Sequence, residues 1–275
     1  MKFCYQVATP DVTYSPEITA FQGSLEESFG KLYAWGYDGV ELMTRSPEKL
    51  NWNQILRLSQ SKNLAVTMIC TGEIFAQLGV SFCDRNLEAR KTAIERTRQM
   101  IDYASYLDAI INVGRLRGVY YDDIPRSKTD SWAVEALTQL SEYADKKNAK
   151  IAIETVAAFQ SNFINTLEEA RMLLQKVGNP NLRIMMDIFH MHLEEPDYLS
   201  SIIKYQAYNI HVHLADSNRR YPGQGNLPFD KIVETFVRAG YDGVFTVEIM
   251  QWPDQDTAAK AAIEYMSPIF SKYYP

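Results

Sequence analysis

Eight short runs rich in β-branched and apolar residues recur along this chain, and segments of 3.6-residue periodicity lie between them. The runs are Lys2–Ala8, Gly39–Met43, Ala65–Cys70, Ala109–Val113, Lys150–Glu154, Leu182–Asp187, Asn209–Ala215 and Val244–Ile249. Strands that are apolar along nearly their whole length, alternating with helices, predict a parallel sheet covered by those helices. The clearest helix is expected from Asn86 to about Leu107, where Ala93, Thr97, Met100, Ile101, Ala104 and Leu107 fall on one stripe. Helix starts are marked by Ser24-Leu25-Glu26-Glu27, by Asn165-Thr166-Leu167-Glu168-Glu169 and by Asp254 through Thr257.

Eight such units fit a closed α/β barrel, the (β/α)8 TIM barrel, better than a doubly wound sheet. No GxGxxG follows the first strand and no GxxxxGK[ST] occurs, so no nucleotide cofactor is expected. Two phrases repeat, Gly36-Tyr37-Asp38-Gly39-Val40 and Gly240-Tyr241-Asp242-Gly243-Val244, each closing a helix with Gly and entering a strand. The length of 275 residues is normal for such a barrel. No Pro/Ser-rich linker divides the chain, so one domain over residues 1–275 is expected.

Composition narrows the partners. A net charge of −6 without a block of Lys or Arg argues against a nucleic-acid surface. No apolar run approaches the ~20 residues that cross a bilayer, and the N-terminal stretch lacks the apolar core of a cleaved signal. Cys4, Cys70 and Cys83 are odd in number and in no metal-binding spacing, which points to buried free thiols in a reducing cytoplasm.

Polar residues end several of the late strands. Glu154 closes Lys150-Ile151-Ala152-Ile153, Asp187 closes Ile184-Met185-Met186, and Glu248 follows Phe245-Thr246-Val247. His211 and His213, two of only four histidines, share one face of their strand, while Ile210, Val212 and Leu214 share the other. If that apolar set meets the helices, both histidines point to the barrel axis. Any one of these groups alone reads as a cap, a surface carboxylate or a core histidine. Barrel closure, however, brings four consecutive strand ends together, and three buried carboxylates there need a cation or a proton. Glu154, Asp187, His213 and Glu248 suit one divalent ion, Mn²⁺ or Mg²⁺ before structural Zn²⁺.

The order of these four residues, with Met186-Asp187-Ile188-Phe189-His190 and Ser217-Asn218-Arg219-Arg220-Tyr221-Pro222-Gly223-Gln224-Gly225, resembles the xylose-isomerase-like barrel superfamily. Within it the chain is most similar to ketose 3-epimerases of the D-tagatose/D-psicose type. The resemblance spans the whole chain and is strongest from Glu154 to Glu248. It places the metal ligands on Glu154, Asp187, His213 and Glu248, with Mn²⁺ the expected ion and Mg²⁺, Co²⁺ or Zn²⁺ as alternatives. It places substrate contacts on His190 and Arg219, and makes Glu154 and Glu248 the acid–base pair that moves the C3 proton of a keto-sugar. It also implies a homo-dimer or tetramer. One position departs from the family: Gln160 stands where a glutamate is usual, near the carbonyl end of the sugar. The metal set is untouched by that change, but a free-ketohexose assignment is weakened.

Three other readings share some of these features. An aldose–ketose or keto-inositol isomerase would use the same site, and the paired His190 and His192 resemble the inosose isomerase branch. Endonuclease IV-like repair needs several more histidines, and none precedes His190. A non-catalytic sugar-binding relative would not require all four ligand types. His211 is expected behind the ligands and His192 near the surface. The long stretches Thr71–Arg85 and Gly114–Ser131, with Phe75, Tyr120 and Tyr121, are expected to shape the far end of the pocket.

Overall fold

Eight strands pair in parallel, each with its sequence neighbour, and the first closes on the last to complete a barrel in a single domain. The computed structural model describes residues 1–274, so the expected domain end at residue 275 lies outside the described residues. The strands are β1 (Lys2–Ala8), β2 (Gly39–Met43), β3 (Ala65–Cys70), β4 (Ile110–Val113), β5 (Ile151–Glu154), β6 (Leu182–Asp187), β7 (Asn209–Leu214) and β8 (Val244–Val247). Helices α1 (Leu25–Trp35), α2 (Trp52–Lys62), α4 (Leu87–Leu107), α5 (Arg126–Lys146), α6 (Leu167–Val177), α8 (Tyr198–Tyr205), α9 (Phe229–Arg238) and α10 (Gln255–Tyr273) form the outer ring. Two short helices, α3 (Gly72–Leu78) and α7 (Ile188–Glu194), sit directly after β3 and β6.

Local chemistry explains the boundaries. Ser24 caps α1 by accepting from Glu27 N at 3.2 Å, Thr166 and Glu169 form a reciprocal capping box on α6, and Asp254 caps α10. Gly36 and Gly240 hold φ of 96° and 79°, the left-handed conformation that ends a helix and turns it toward the next strand. The stripe expected on α4 is buried residue for residue: Ala93, Thr97, Met100, Ile101, Ala104 and Leu107. The eighth strand is shorter than expected. Its pairing ends at Val247, and Ile249 N already bonds to Thr19 O at 3.1 Å outside the sheet. Glu248 therefore stands just past the strand rather than in it.

Alternation divides each strand between two environments. Val40 and Leu42, Ile151 and Ile153, Ile184 and Met186, and Phe245 and Val247 face the helices in one continuous core. Met68, Cys70, Ala152 and Met185 form a separate small cluster inside the barrel, below the polar residues at its mouth. Ile210 departs from the expected pattern. The β6/β7 register shifts so that Ile184 pairs with Asn209 and Met185 with His211. Ile210 is the extra residue of that bulge, and it packs against the interior cluster instead of the helices. His211 and His213 still face the axis, because the regular register resumes at His211.

Packing between strands leaves little room at Gly39. A Cβ there would lie 2.4 Å from the Ala65 carbonyl oxygen and 3.0 Å from Cys4 Sγ. Gly39→Ala should therefore cost roughly 1–3 kcal/mol in urea unfolding. Gly30 lies inside α1, and a Cβ added there would meet no atom within 4 Å. Its replacement by Ala should gain up to about 1 kcal/mol. Equal midpoints for the two variants would contradict this packing.

Candidate metal centre

The C-terminal ends of β5, β6 and β7 and the residue after β8 converge on one point. Glu154, Asp187, His213 and Glu248 each offer a ligand atom, and these atoms lie within 4.8 Å of one another. All four residues expected to bind metal are thus brought together, and Glu154 and Glu248 line a cavity of about 780 Å³ at the barrel mouth.

His213 is the pivot. Its Nε2 lies 2.8 and 3.0 Å from the two oxygens of Glu41, a carboxylate on β2 with no solvent exposure. A carboxylate can only accept, so this contact puts a proton on Nε2 and leaves Nδ1 as the position that takes either a metal ion or a second proton. Nδ1 faces Glu248 Oε2 at 3.5 Å, Glu154 Oε1 at 3.7 Å and Asp187 Oδ2 at 3.9 Å, and it is a buried atom without a hydrogen-bond partner. A lone pair directed at three carboxylate oxygens is unfavourable unless a cation or proton lies between them. The donor set, three carboxylates and one imidazole nitrogen, fits one divalent ion.

Each carboxylate is also held from behind. Glu154 Oε2 accepts from Asn112 Nδ2 at 3.1 Å, and it lies where a Cβ on Gly114 would be only 2.5 Å away. The fully buried Arg117 donates to the backbone oxygens of Glu154 at 2.8 Å, Gly114 at 2.6 Å, Phe163 at 2.8 Å and Ile164 at 2.7 Å. It ties the β4 and β5 loops together, and burial lowers its pKa to about 10. Asp187 Oδ1 caps α7 through Phe189 N at 2.8 Å and His190 N at 3.2 Å, which turns Oδ2 toward the cluster. Glu248 Oε1 accepts from Gln6 Nε2 at 3.2 Å.

Arg219 enters from the loop after β7. It donates from Nη1 to Asp187 Oδ2 at 2.9 Å and from Nη2 to Glu248, and its guanidinium lies 4.6 Å from the Phe189 ring. Its φ of 60° is costly for a residue with a side chain, and Asp216 stabilises the surrounding turn. Buried Asp216 accepts from Ser217, Gly223 and Leu227 backbone N–H groups at 2.7, 2.8 and 3.1 Å. A Cβ on Gly225 would meet Asp216 Oδ1 at 2.3 Å, so the Pro-Gly-Gln-Gly run is a requirement of this turn.

His190 is buried and lines the cavity. Its Nδ1 accepts from Ala157 N at 3.2 Å, which leaves Nε2–H as the donor available to a bound molecule. Burial lowers its pKa, with Arg219 acting in the same direction, so the neutral ring is favoured. Gln160 also lines the cavity. His211 Nε2 donates to Glu41 at 3.1 Å, lies 2.9 Å from the Thr246 hydroxyl and does not join the four-residue cluster, while His192 is half-buried beside Tyr198.

The aromatic residues expected at the far end of the pocket are elsewhere. Phe75 lies under the Arg115 guanidinium, Tyr120 packs on Phe163 at 4.7 Å with its hydroxyl on Asp130, and Tyr121 lies under Arg85. The cavity wall from these segments is Gly72, Glu73, Ala76, Gln77, Gly114 and Arg115 instead. Helix α3 turns Glu73 and Gln77 inward, a helical face hidden within a stretch that reads as irregular.

Glu41 was not among the expected site residues. Its signal is a charged residue alternating with Val40 and Leu42 in an apolar strand. Burial raises its pKa, but His213 and His211 outweigh that and hold it well below the ordinary value of 4.5. Glu248 is likewise held well below 4.5, with Arg219 and His213 overcoming burial. His213, against the cost of burial, is raised well above 6.5 by Glu41 and Glu248. Depressed carboxylates contribute stability that is present above pH 4.5 and lost as pH falls below it. The raised histidine contributes below pH 6.5 and loses its contribution only as pH rises through its folded pKa. The metal-free protein should therefore weaken on acidification below 4.5, and Glu41→Gln should flatten that slope in denaturant titrations. A slope in the variant as steep as in the parent would contradict the pairing.

Comparisons with known proteins bear on the family of the whole chain. The family described as "Xylose isomerase-like TIM barrel" matches residues 29–269. A probable ketose 3-epimerase of Synechocystis is 24% identical, covering 88% of this chain and 84% of its own. An inosose isomerase of Halalkalibacterium halodurans is 26% identical, covering 96% and 93%. The structure of a 3-keto-D-glucoside 4-epimerase from E. coli superposes with a TM-score of 0.81 at 21% identity, covering 98% of this chain and 99% of its own. On that match across residues 29–269, this chain belongs to the xylose isomerase-like TIM barrel family.

Proposed function

We propose that this protein is a sugar isomerase that epimerises a keto-sugar at C3 with one divalent metal ion, Mn²⁺ by preference, on Glu154, Asp187, His213 and Glu248. The observation that carries this reading is the buried, unpartnered His213 Nδ1 facing three carboxylates at 3.5 to 3.9 Å. The ion would act as a Lewis acid toward the sugar's carbonyl and neighbouring hydroxyl oxygens.

The remaining chemistry belongs to the side chains. Epimerisation removes a proton from one face of C3 and returns one to the other. Glu154, on β5, and Glu248, beyond β8, flank Asp187 and His213 along the mouth, so one carboxylate can serve each face of a sugar bound between them. Arg219 places a guanidinium beside the carbonyl oxygen, where charge develops in the enediolate. Neutral His190 donates Nε2–H to a sugar hydroxyl. Gln160 can hydrogen-bond the carbonyl end of the sugar but cannot take a proton. Asp187 and His213 hold the ion and move no proton. Three buried free thiols accord with a reducing cytoplasm as the place of action.

A second reading keeps the site and changes the substrate. The inosose isomerase relative spans nearly the whole chain, and it favours transfer between adjacent carbons of a keto-inositol or an aldose–ketose pair.

Turnover of a panel of ketoses in deuterated water with Mn²⁺ present tests the choice. The epimerase reading expects deuterium at C3 in both product and recovered substrate. Label at C1 or C2 alone, with C3 protonated in every ketose tried, would favour the isomerase reading. Asp187→Asn and His213→Ala should lose metal and activity together. Arg219→Ala should keep the metal and lower turnover roughly 10²- to 10³-fold. An Arg219 variant that arrives without metal would contradict the role given to it.

Glu41 supports the ion through His213. Glu41→Gln should weaken metal affinity about 10- to 100-fold in competition with a chelator. Unchanged affinity would remove Glu41 from the site.

A further inference from the structure

The cavity is wider than the metal cluster needs. In the closed ring β2, β3 and β4 stand opposite β6, β7 and β8. The four metal-facing residues and His190 occupy the β5–β8 side. The opposite wall is built by Arg45 after β2, by Glu73 and Gln77 on α3, and by Arg115 after β4. A volume of about 780 Å³ is in the range that holds drug-sized ligands, more than a six-carbon sugar fills.

Two half-buried guanidinium groups stand on that far wall with unused donors. Arg45 directs Nη1 to Gln77 Oε1 at 2.7 Å. Arg115 rests over the Phe75 ring at 5.8 Å, close enough to Gly72 that a Cβ there would lie 3.9 Å from its Nη2. Among the described residues neither guanidinium pairs with a carboxylate. The two acids on the same wall are otherwise placed: Glu73 accepts from Gln77 Nε2 at 2.5 Å, and Glu17 is exposed at the edge. Arg219, by contrast, is already engaged by Asp187 and Glu248. A guanidinium presents a planar fork of donors that matches the oxygens of a carboxylate or phosphate.

We infer that the substrate is an acidic keto-sugar, whose carboxylate or phosphate at the end remote from the carbonyl is held by Arg115 and Arg45 across the mouth from the metal-facing residues. This rests on the reading of the β5–β8 side as a keto-sugar site. It names the feature of the substrate that a neutral ketohexose lacks. Gln77, itself fixed by Glu73, holds Arg45 in place from α3, so the short helix after β3 becomes part of substrate selection.

The test compares three ketohexoses on the Mn²⁺-loaded protein: the neutral sugar, its 6-phosphate and its 6-carboxylate. Exchange at C3 in deuterated water and calorimetric binding are measured for each. The expected result is a kcat/KM for at least one acidic sugar roughly ten- to a hundredfold above the neutral one, the size of one charge-assisted contact. Which acid wins distinguishes a sugar phosphate from a sugar acid. In Arg115→Gln, and separately in Arg45→Gln, the acidic-to-neutral ratio should fall about tenfold or more, chiefly through KM. Circular dichroism confirms that each variant is folded. Exchange at C3 with the neutral sugar preferred, or a ratio unmoved in both folded variants, overturns the acidic substrate and leaves the epimerase reading standing. Tighter, arginine-dependent binding of an acidic sugar without C3 exchange supports the anion site and overturns the epimerase reading instead.

Discussion

The contact between His213 Nε2 and Glu41 organises the mouth of this barrel. It crosses the interior from β7 to β2, and by fixing which imidazole nitrogen carries the proton it decides what Nδ1 can do. With Nε2 engaged at 2.8 Å, Nδ1 has only the carboxylates of Glu154, Asp187 and Glu248 to face. Glu41 is itself tied down by Gln6 Nε2 at 2.9 Å and by His211, so the imidazole cannot easily turn. A buried carboxylate without these donors would be costly. The same donors that make Glu41 tolerable also make the site rigid.

Barrel geometry supplies the rest. Inward positions on consecutive parallel strands lie side by side, so Ala152, Met185 and Cys70 pack the floor while Glu154, Asp187 and His213 form the next layer up. Register shifts in β2/β3 and β6/β7 adjust this layering. The second keeps His211 and His213 aimed at the axis even though Ile210, between them and Asn209, turns inward. The loop after β7 adds Arg219 in a left-handed backbone conformation, held by Asp216 and by two glycines that no larger residue could replace without collision.

Much of this was legible in the residues alone. Seven of the strands were readable to within one residue at each end because apolar runs between helical segments have few other interpretations, and capping residues such as Thr166 mark helix starts by their own chemistry. Glu154, Asp187, His213 and Glu248 stood out because a charge ends an apolar run on consecutive strands. Glu41 did not, since it lies inside its strand between Val40 and Leu42, and its partner is 172 residues away. The pocket wall was also obscure. Glu73 and Gln77 line it only because Thr71–Arg85 contains a helix of seven residues, too short to declare itself by periodicity. Phe75, Tyr120 and Tyr121 are the conspicuous aromatics of these stretches, yet none lines the cavity: Phe75 lies under Arg115, Tyr120 packs on Phe163 and Tyr121 lies under Arg85. Arg117 looks like a surface charge in sequence, but carbonyl oxygens from two loops make its complete burial tolerable.

A crystal structure of the manganese-loaded protein, with anomalous scattering recorded to locate the ion, tests the central claim most directly. The account predicts one ion per chain, coordinated by oxygens of Glu154, Asp187 and Glu248 and by His213 Nδ1 at roughly 2.0–2.4 Å. His213 Nε2 should remain on Glu41. An ion bound elsewhere, or no ion at this cluster under saturating manganese, would contradict it.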